Sequence, residues 1–129
     1  MQSKVEEKTN NSKGFKNDLA KRLFEFSVQI IFQTRKLPKT PEYKVIVNQL
    51  IKAATSTGAN YEEAQSPVSR ADFSNKVGIS LKEMRESNYW IRIILSITDE
   101  TEAWKNLQSE SRELMNILGK IYFKTSKKR

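Results

Sequence analysis

Apolar residues recur at alternating intervals of three and four positions through most of this chain, in four segments separated by prolines or short polar links. This interval matches the turn of an α-helix and places the apolar side chains on one face. No stretch of any length alternates with the two-residue period of a half-buried strand. The pattern predicts an all-α fold, and 129 residues are enough for a single domain.

Local start and stop signals divide the chain into four helices. Pro38 disfavours helix in the residue before it, Pro41 suits a first helical position, and Ser69 can cap the helix that follows it. Short links between long helices favour an antiparallel up-down-up-down four-helix bundle. We expect a flexible arm over 1–14, the bundle over 15–124 and a basic tail over 125–129. The predicted helix limits are Asn17–Leu37, Pro41–Ser66, Ser69–Thr98, and a fourth helix that begins between Asp99 and Thr101.

Each predicted helix carries one apolar seam, and the first has a second stripe beside it. Asn88 interrupts the third seam, where a lone polar residue often fixes register or oligomeric state. Gly58 costs helix propensity, which predicts the close approach of a neighbouring helix. The second stripe consists of Phe24, Val28 and Ile31.

The formal net charge of +8 is concentrated at the two ends of the chain. Residues 17–119 hold fourteen bases against thirteen acids, whereas residues 120–129 hold five bases and no acid. A basic segment beyond a nearly neutral body is typical of an arm that binds nucleic acid, although it can also serve only solubility. The predicted nucleic-acid-binding residues are Lys36, Lys39, Lys120, Lys124, Lys127, Lys128 and Arg129.

The chain contains neither histidine nor cysteine. The usual metal ligand, the side chain that titrates near neutral pH and the thiolate nucleophile are therefore all missing. Glu63, Glu83 and Glu86 could suggest a di-iron type of centre, but that centre also needs two Glu-x-x-His pairs. We expect these carboxylates to accept hydrogen bonds from neighbours such as Asn60, Arg85 or Tyr89. We predict no metal, no cofactor and no enzymatic activity.

Residues 89–97 are apolar nearly all round the predicted third helix. A small bundle covers one side of such a segment, so a second subunit is predicted to cover the other. The predicted oligomer interface consists of Trp90, Ile93, Ile94 and Ile97. No apolar run approaches the roughly 20 residues of a membrane span, and the N-terminus lacks a signal-peptide core. We therefore expect a soluble cytoplasmic protein with no membrane partner.

Residues 56–94 closely resemble the bacterial four-helix-bundle family of ribosomal-RNA intervening-sequence proteins, which includes the accessory variability proteins of diversity-generating retroelements. The family pattern is small-Asn-x-x-Glu-Ala, then Ser-x-x-[Asp/Glu]-Phe, then Lys-Glu-x-x-Glu-x-x-Tyr-Trp. The matching positions are Ala59, Asn60, Glu63 and Ala64; Ser69, Asp72 and Phe73; and Lys82, Glu83, Glu86, Tyr89 and Trp90.

The resemblance implies an antiparallel four-helix bundle that assembles into a ring-like homopentamer without known catalysis. It also implies, for the retroelement members, nucleic-acid binding through basic surface residues and a reverse transcriptase as partner. Our leading hypothesis is a homo-oligomeric bundle that binds RNA or DNA, RNA being favoured, through its basic ends and the turn at Arg35, Lys36 and Lys39. The alternative is a protein-interaction scaffold whose tails only aid solubility.

Overall fold

The structure, a computed structural model, describes residues 15–127, with side chains from Asp18 to Ser126. These residues form four α-helices joined by short links and contain no strand. Adjacent helices in the chain pack against each other, as expected for an antiparallel up-down-up-down bundle. The predicted all-α bundle is confirmed. The helices are α1 (Phe15–Thr34), α2 (Pro41–Ala64), α3 (Arg70–Ile97) and α4 (Glu102–Lys127).

The helix starts follow the capping signals in the sequence. The Thr40 hydroxyl accepts a hydrogen bond from the Tyr43 amide at the start of α2, and Pro41 occupies the first turn. The Ser69 hydroxyl accepts one from the Asp72 amide at the start of α3. The Asp72 carboxylate in turn accepts from the amide of Val68. Both starts therefore satisfy amide groups that the helix itself leaves unpaired.

Two helix ends differ from the sequence prediction. α1 ends at Thr34, and its last carbonyls are taken up in a tight turn that runs to Leu37 just before Pro38. α4 continues through Lys127, so the tail predicted over 125–129 begins inside this helix. The Thr125 hydroxyl donates to the carbonyls of Ile121 and Tyr122, which keeps this polar residue compatible with the helix. Residues 1–14 and 128–129 lie outside the described residues.

The core is built from the predicted seams. Trp104 and Leu118 of α4 are buried against Leu50 of α2 and Met84 of α3, within one apolar cluster. The second buried stripe predicted for α1 is wrong at Phe24, which is 62% exposed. Leu19 and Phe26, on the opposite side of the seam, are buried in its place. α1 packs mainly on α2 and touches α4 only sparingly, so the seam between α1 and α4 is open.

Buried polar side chains connect neighbouring helices at fixed positions. The Thr57 hydroxyl of α2 hydrogen-bonds the Ser80 hydroxyl and carbonyl of α3, and Ser80 donates back to the Thr57 carbonyl. The Asn88 amide of α3 donates to the Ser111 hydroxyl of α4 at 2.8 Å. A sliding of α3 by one residue would leave these buried groups unpaired, which costs about 1–3 kcal/mol for each. Asn88 therefore fixes register within the chain.

The two central glycines differ in how closely a neighbouring helix approaches. A Cβ at Gly58 would lie 3.5 Å from the Leu23 Cβ of α1, an ordinary contact. A Cβ at Gly78 would lie only 2.9 Å from the Tyr122 Cε1 of α4. Leu23 does approach Gly58, as the sequence predicts, but the tight approach is at Gly78. No helix within residues 15–127 is both long and apolar enough to cross a membrane.

Candidate nucleic-acid interface

The bases predicted to bind nucleic acid lie at opposite ends of the bundle. Lys36 and Lys39 belong to the link between α1 and α2, at the end where α4 begins. Lys120 and Lys124 lie in the last two turns of α4, at the other end. A helix of 26 residues is about 39 Å long, so the two groups form separate sites on one chain. The predicted residues beyond them, Lys127, Lys128 and Arg129, have no described side chains.

We define the α1–α2 corner as residues 31–51, the end of α1, the link and the first half of α2. It contains a cleft of about 340 Å³ whose rim carries the exposed bases Arg35, Lys39 and Lys44. Asn48 lies on the same rim. The floor is apolar and partly buried, and it is formed by Ile31, Val47 and Ile51. None of the residues that line this cleft is acidic.

Local contacts hold the rim of this cleft in place. The Lys39 ammonium donates to the Arg35 carbonyl at 3.2 Å, which satisfies a carbonyl beyond the end of α1. The Arg35 guanidinium lies over the Phe32 ring, 5.8 Å from its centroid, in a cation–π contact. At the base of the corner the Tyr43 hydroxyl donates to the Ile97 carbonyl of α3 at 3.3 Å. The cleft is therefore supported on one side by α1 and on the other by an α2 anchored to α3.

Lys36 lies on the other side of the same link and has different surroundings. It lines a neighbouring groove together with Asp99 and Glu100 of the α3–α4 link and Glu102 at the start of α4. Acids that line the same groove oppose the approach of a phosphate and offset the charge of Lys36. Of the two predicted bases in the link, only Lys39 lies in an acid-free cleft.

We define the α4 end as residues 117–126, and it lacks such a cleft of its own. Lys120 borders an apolar groove of about 790 Å³ between α1 and α4, and this groove is also lined by the acids Asp18 and Glu25 and the bases Lys21 and Arg22. Lys124 is exposed on the helix surface. Cations in the last turns of a helix also favour the negative end of its dipole. This interaction requires no ligand, and it applies to Lys124 in the last turn of α4.

Arg22 of α1 is neutralised by two acids of α4. Its guanidinium donates to both carboxylate oxygens of Glu110, at 3.1 and 2.9 Å, and also to Glu113. These hydrogen bonds, with Glu110 the stronger, raise the pKa of Arg22 above its ordinary value. This ion pair bridges α1 and α4 where their seam is open, and it removes Arg22 from the bases available to a phosphate.

The predicted oligomer interface is partly buried in the chain itself. Ile94 is fully buried in the core, so the prediction that it contacts a second subunit is wrong. Residues three or four positions apart share a helix face, and Ile94 shares the face of Met84 and Ile91. Trp90 and Ile93 are partly buried, and Ile97 is 48% exposed. The outward side of α3 carries these three residues.

The carboxylates of the predicted motif pair with partners other than those expected. Glu86 accepts a hydrogen bond from the Trp90 indole at 3.1 Å, and Glu63 lies 3.8 Å from the Lys76 ammonium across the α2–α3 contact. Burial is the main cause of the raised pKa of Glu83, and the negative charge of the nearby Glu86 raises it further. A raised pKa means that ionising Glu83 disfavours the folded chain, so its stabilising contribution falls as the pH rises through that value.

The remaining motif residues make contacts within α2 and α3 or line the neighbouring groove. The Asn60 amide donates to the carbonyl and hydroxyl of Ser56 within α2, so it does not reach the carboxylates of α3. The Tyr89 ring meets the Trp90 ring edge to face at 5.1 Å between centroids. Phe73 lines the groove between α1 and α4. Among the side chains of residues 18–126, no group of three or more acids is arranged to hold a metal ion.

Comparison with known proteins agrees with this architecture. A sequence profile of the 23S rRNA-intervening sequence protein family matches residues 16–120. The chain belongs to this family. A solved structure of a protein of unknown function from the S23 ribosomal protein family of Bacteroides thetaiotaomicron, at 1.70 Å resolution, is 33% identical with a TM-score of 0.72. The alignment covers 81% of this chain and 97% of that chain. No curated protein sequence matches.

The resemblance of residues 56–94 to the intervening-sequence protein family is thereby confirmed. The residues matched by the family profile include the whole α1–α2 corner and end at Lys120. Lys124 and the bases after it lie beyond that range. The two basic regions therefore differ in their relation to the family as well as in their geometry.

Sequence reasoning missed two residues of the corner, Lys44 and Asn48. Both lie on the side of α2 that faces α1, because positions 44, 47, 48 and 51 are spaced by three and four residues. That spacing was visible in the sequence, but Lys44 was one base among many in a nearly neutral body. What distinguishes it is its place on a cleft whose lining residues include no acid, and that depends on the packing of α1 against α2.

Proposed function

We propose that this chain is a non-enzymatic, homo-oligomeric bundle that binds nucleic acid, RNA in the first instance, through the α1–α2 corner. The observation that carries the proposal is the cleft rimmed by Arg35, Lys39 and Lys44, none of whose lining residues is acidic. Bases clustered without acids attract a polyanion by releasing the cations condensed on its phosphates. The lysines of the α4 end add a weaker, general attraction.

RNA is the polyanion to test first. The family name refers to a sequence that interrupts 23S rRNA, and the similar solved structure is assigned to a ribosomal protein family. Both names concern relatives of this chain and support the choice of probe. The rim residues themselves contact phosphates equally well in RNA and DNA, so DNA of the same sequence serves as the comparison.

The experiment is a fluorescence-anisotropy titration of a labelled 20-nucleotide single-stranded RNA at several salt concentrations. Three phosphate contacts on a single strand predict a slope of log K against log salt of about −2. Replacing Lys39 and Lys44 with glutamine should weaken binding about tenfold at low salt. The matched control replaces Lys105 and Arg112, two exposed bases of α4, with glutamine. It should change the affinity for RNA less than twofold.

Absence of any RNA or DNA binding at low salt would contradict the proposal. In that case the protein-scaffold hypothesis is favoured, with a reverse transcriptase as one candidate partner. Equal losses in the Lys39/Lys44 and the Lys105/Arg112 variants would contradict the assignment to the α1–α2 corner. Such a result would indicate that binding follows the net charge alone.

The proposed homo-oligomer uses the outward side of α3. Ile79 and Ile97 are 44% and 48% exposed, and the partly buried Trp90 and Ile93 lie between them along the same helix. Exposed apolar groups of this size are typical of surfaces covered by another subunit. We expect a family-like ring, the pentamer being favoured, which would present several corners to one nucleic acid and raise its avidity.

Light scattering coupled to size exclusion tests the oligomer. We expect a mass several times the 15.0 kDa of one chain, and a lower mass when Ile79 and Ile97 are both replaced by aspartate. Val68→Asp is the control, because Val68 is 91% exposed in the α2–α3 link, away from this face. A wild-type particle of about 15 kDa at micromolar concentration would exclude the oligomer.

A further inference from the structure

The cleft of the α1–α2 corner has an apolar floor that phosphates alone do not require. Ile31, Val47 and Ile51 form this floor and remain partly exposed, while Arg35, Lys39 and Lys44 are exposed around it. Its volume of about 340 Å³ is near the lower end of the roughly 300–1,000 Å³ of small-ligand pockets. A ligand that matches both the apolar floor and the basic rim carries a flat apolar ring with negative charge on either side of it.

We propose that this cleft takes one unpaired nucleotide of a single-stranded nucleic acid, with its base on the apolar floor and the flanking phosphates on the basic rim. The inference rests on the proposed function and specifies its substrate class. Proteins that bind single strands combine a positively charged groove with surfaces on which bases stack. In a duplex the bases are stacked on each other, and inserting one here would require unpairing it.

Three rim residues would take different parts of such a nucleotide. Asn48 offers a donor and an acceptor to the edge of a base. The Arg35 guanidinium lies over the Phe32 ring and presents a flat cation beside the cleft, on which a base can also stack. Lys39 and Lys44 lie at the α1–α2 link and in the first turns of α2, where they can contact successive phosphates.

The test compares three probes at one salt concentration: a 12-nucleotide single-stranded RNA, the same sequence as a duplex, and adenosine monophosphate. We expect the single strand to bind at least tenfold tighter than the duplex, and the mononucleotide to bind far more weakly than both. The variant Val47→Gln makes part of the apolar floor polar without changing the charge of the cleft. It should weaken single-strand binding about tenfold and leave duplex binding within twofold.

Asn48→Ala is a second variant that keeps the inference testable if Val47→Gln disturbs folding, which a thermal melt would reveal. It removes only exposed polar atoms and should weaken single-strand binding about threefold, again without affecting the duplex. Phe24→Ala is the matched control, because Phe24 is exposed on α1 but does not line the cleft. It should leave both affinities within twofold.

Equal affinity for single strand and duplex, with both unchanged by Val47→Gln and Asn48→Ala, would overturn the inference while leaving general nucleic-acid binding intact. Binding of adenosine monophosphate as tight as that of the strand would also overturn it, in favour of a free nucleotide. If neither the strand nor the duplex binds, it is the proposed function that fails.

Discussion

The two basic regions of this chain differ in how their charges are arranged. At the α1–α2 corner, Arg35, Lys39 and Lys44 surround a cleft with an apolar floor and no acid. At the α4 end, Lys120 borders a groove shared with Asp18 and Glu25, and Lys124 projects from a single helix. The net charge along the sequence favours residues 120–129, with five bases and no acid, whereas the geometry favours the corner.

The difference shows that the binding of a polyanion depends on the charges near the site more than on the net charge of a segment. Charges farther apart than about 8–10 Å are largely screened at physiological salt. An acid within that distance offsets a lysine, whereas an acid at the other end of the bundle does not.

The largest expected effect comes from reversing charge at the corner. Arg35→Glu with Lys39→Glu and Lys44→Glu should weaken binding of single-stranded RNA at least thirtyfold at low salt, because three attractive contacts become repulsive. Reversing Lys120 and Lys124 at the α4 end should weaken it no more than about fivefold. Anisotropy titrations of both variants measure the ratio, and equal losses would show that the two regions are equivalent.

The salt dependence of binding should distinguish direct phosphate contacts from general attraction. Replacing Lys39 and Lys44 with glutamine should reduce the slope of log K against log salt by about 1.4, since each contact to a single strand contributes about 0.7. Replacing Lys120 and Lys124 should reduce it by less than half that amount. A larger reduction from the α4 end would mean that its lysines bind the backbone directly.

Two lysines of the same link give a narrower comparison. Lys39→Gln should weaken RNA binding about threefold, whereas Lys36→Gln should change it less than 1.5-fold, because Lys36 shares its groove with Asp99, Glu100 and Glu102. The two variants remove the same charge from positions three residues apart. If their losses are equal in the same titration, the acids of the α3–α4 link do not influence binding.

The smallest expected effect is on stability, and it tests whether losses of binding reflect unfolding. The Lys39 ammonium donates to the Arg35 carbonyl at the end of α1, so Lys39→Gln should lower the free energy of unfolding by about 0.3–0.5 kcal/mol. For a domain of this size this corresponds to roughly 2 °C in Tm. A thermal melt that falls by 10 °C would mean that Lys39 has a structural role instead.

Most of the fold could be predicted from the sequence, because seams, prolines and capping residues act locally. Ser69 caps α3 as its position predicts, and Trp104 and Leu118 are buried as their spacing predicts. Errors occurred where the outcome depends on which neighbour packs closest. Phe24 and Ile94 both belong to helices with many apolar residues, yet Phe24 is exposed and Ile94 is fully buried.

The candidate site was predictable only in part for the same reason. Lys39 stands out in the sequence because the link between two helices brings bases together in a short segment. Lys44 and Asn48 join it only after α2 has packed on α1, and the acids beside Lys36 come from a link more than sixty residues away in the chain. Contacts between distant segments decide which bases remain effective.

The most direct test of the account is to locate bound RNA on the protein. Photo-crosslinking of a 4-thiouridine-substituted single-stranded RNA, followed by mass spectrometry, identifies the contacted peptides. The account predicts crosslinks concentrated in residues 31–51, at the α1–α2 corner, and their loss in the Arg35, Lys39 and Lys44 reversal variant. Crosslinks confined to residues 117–127, at the end of α4, would contradict it.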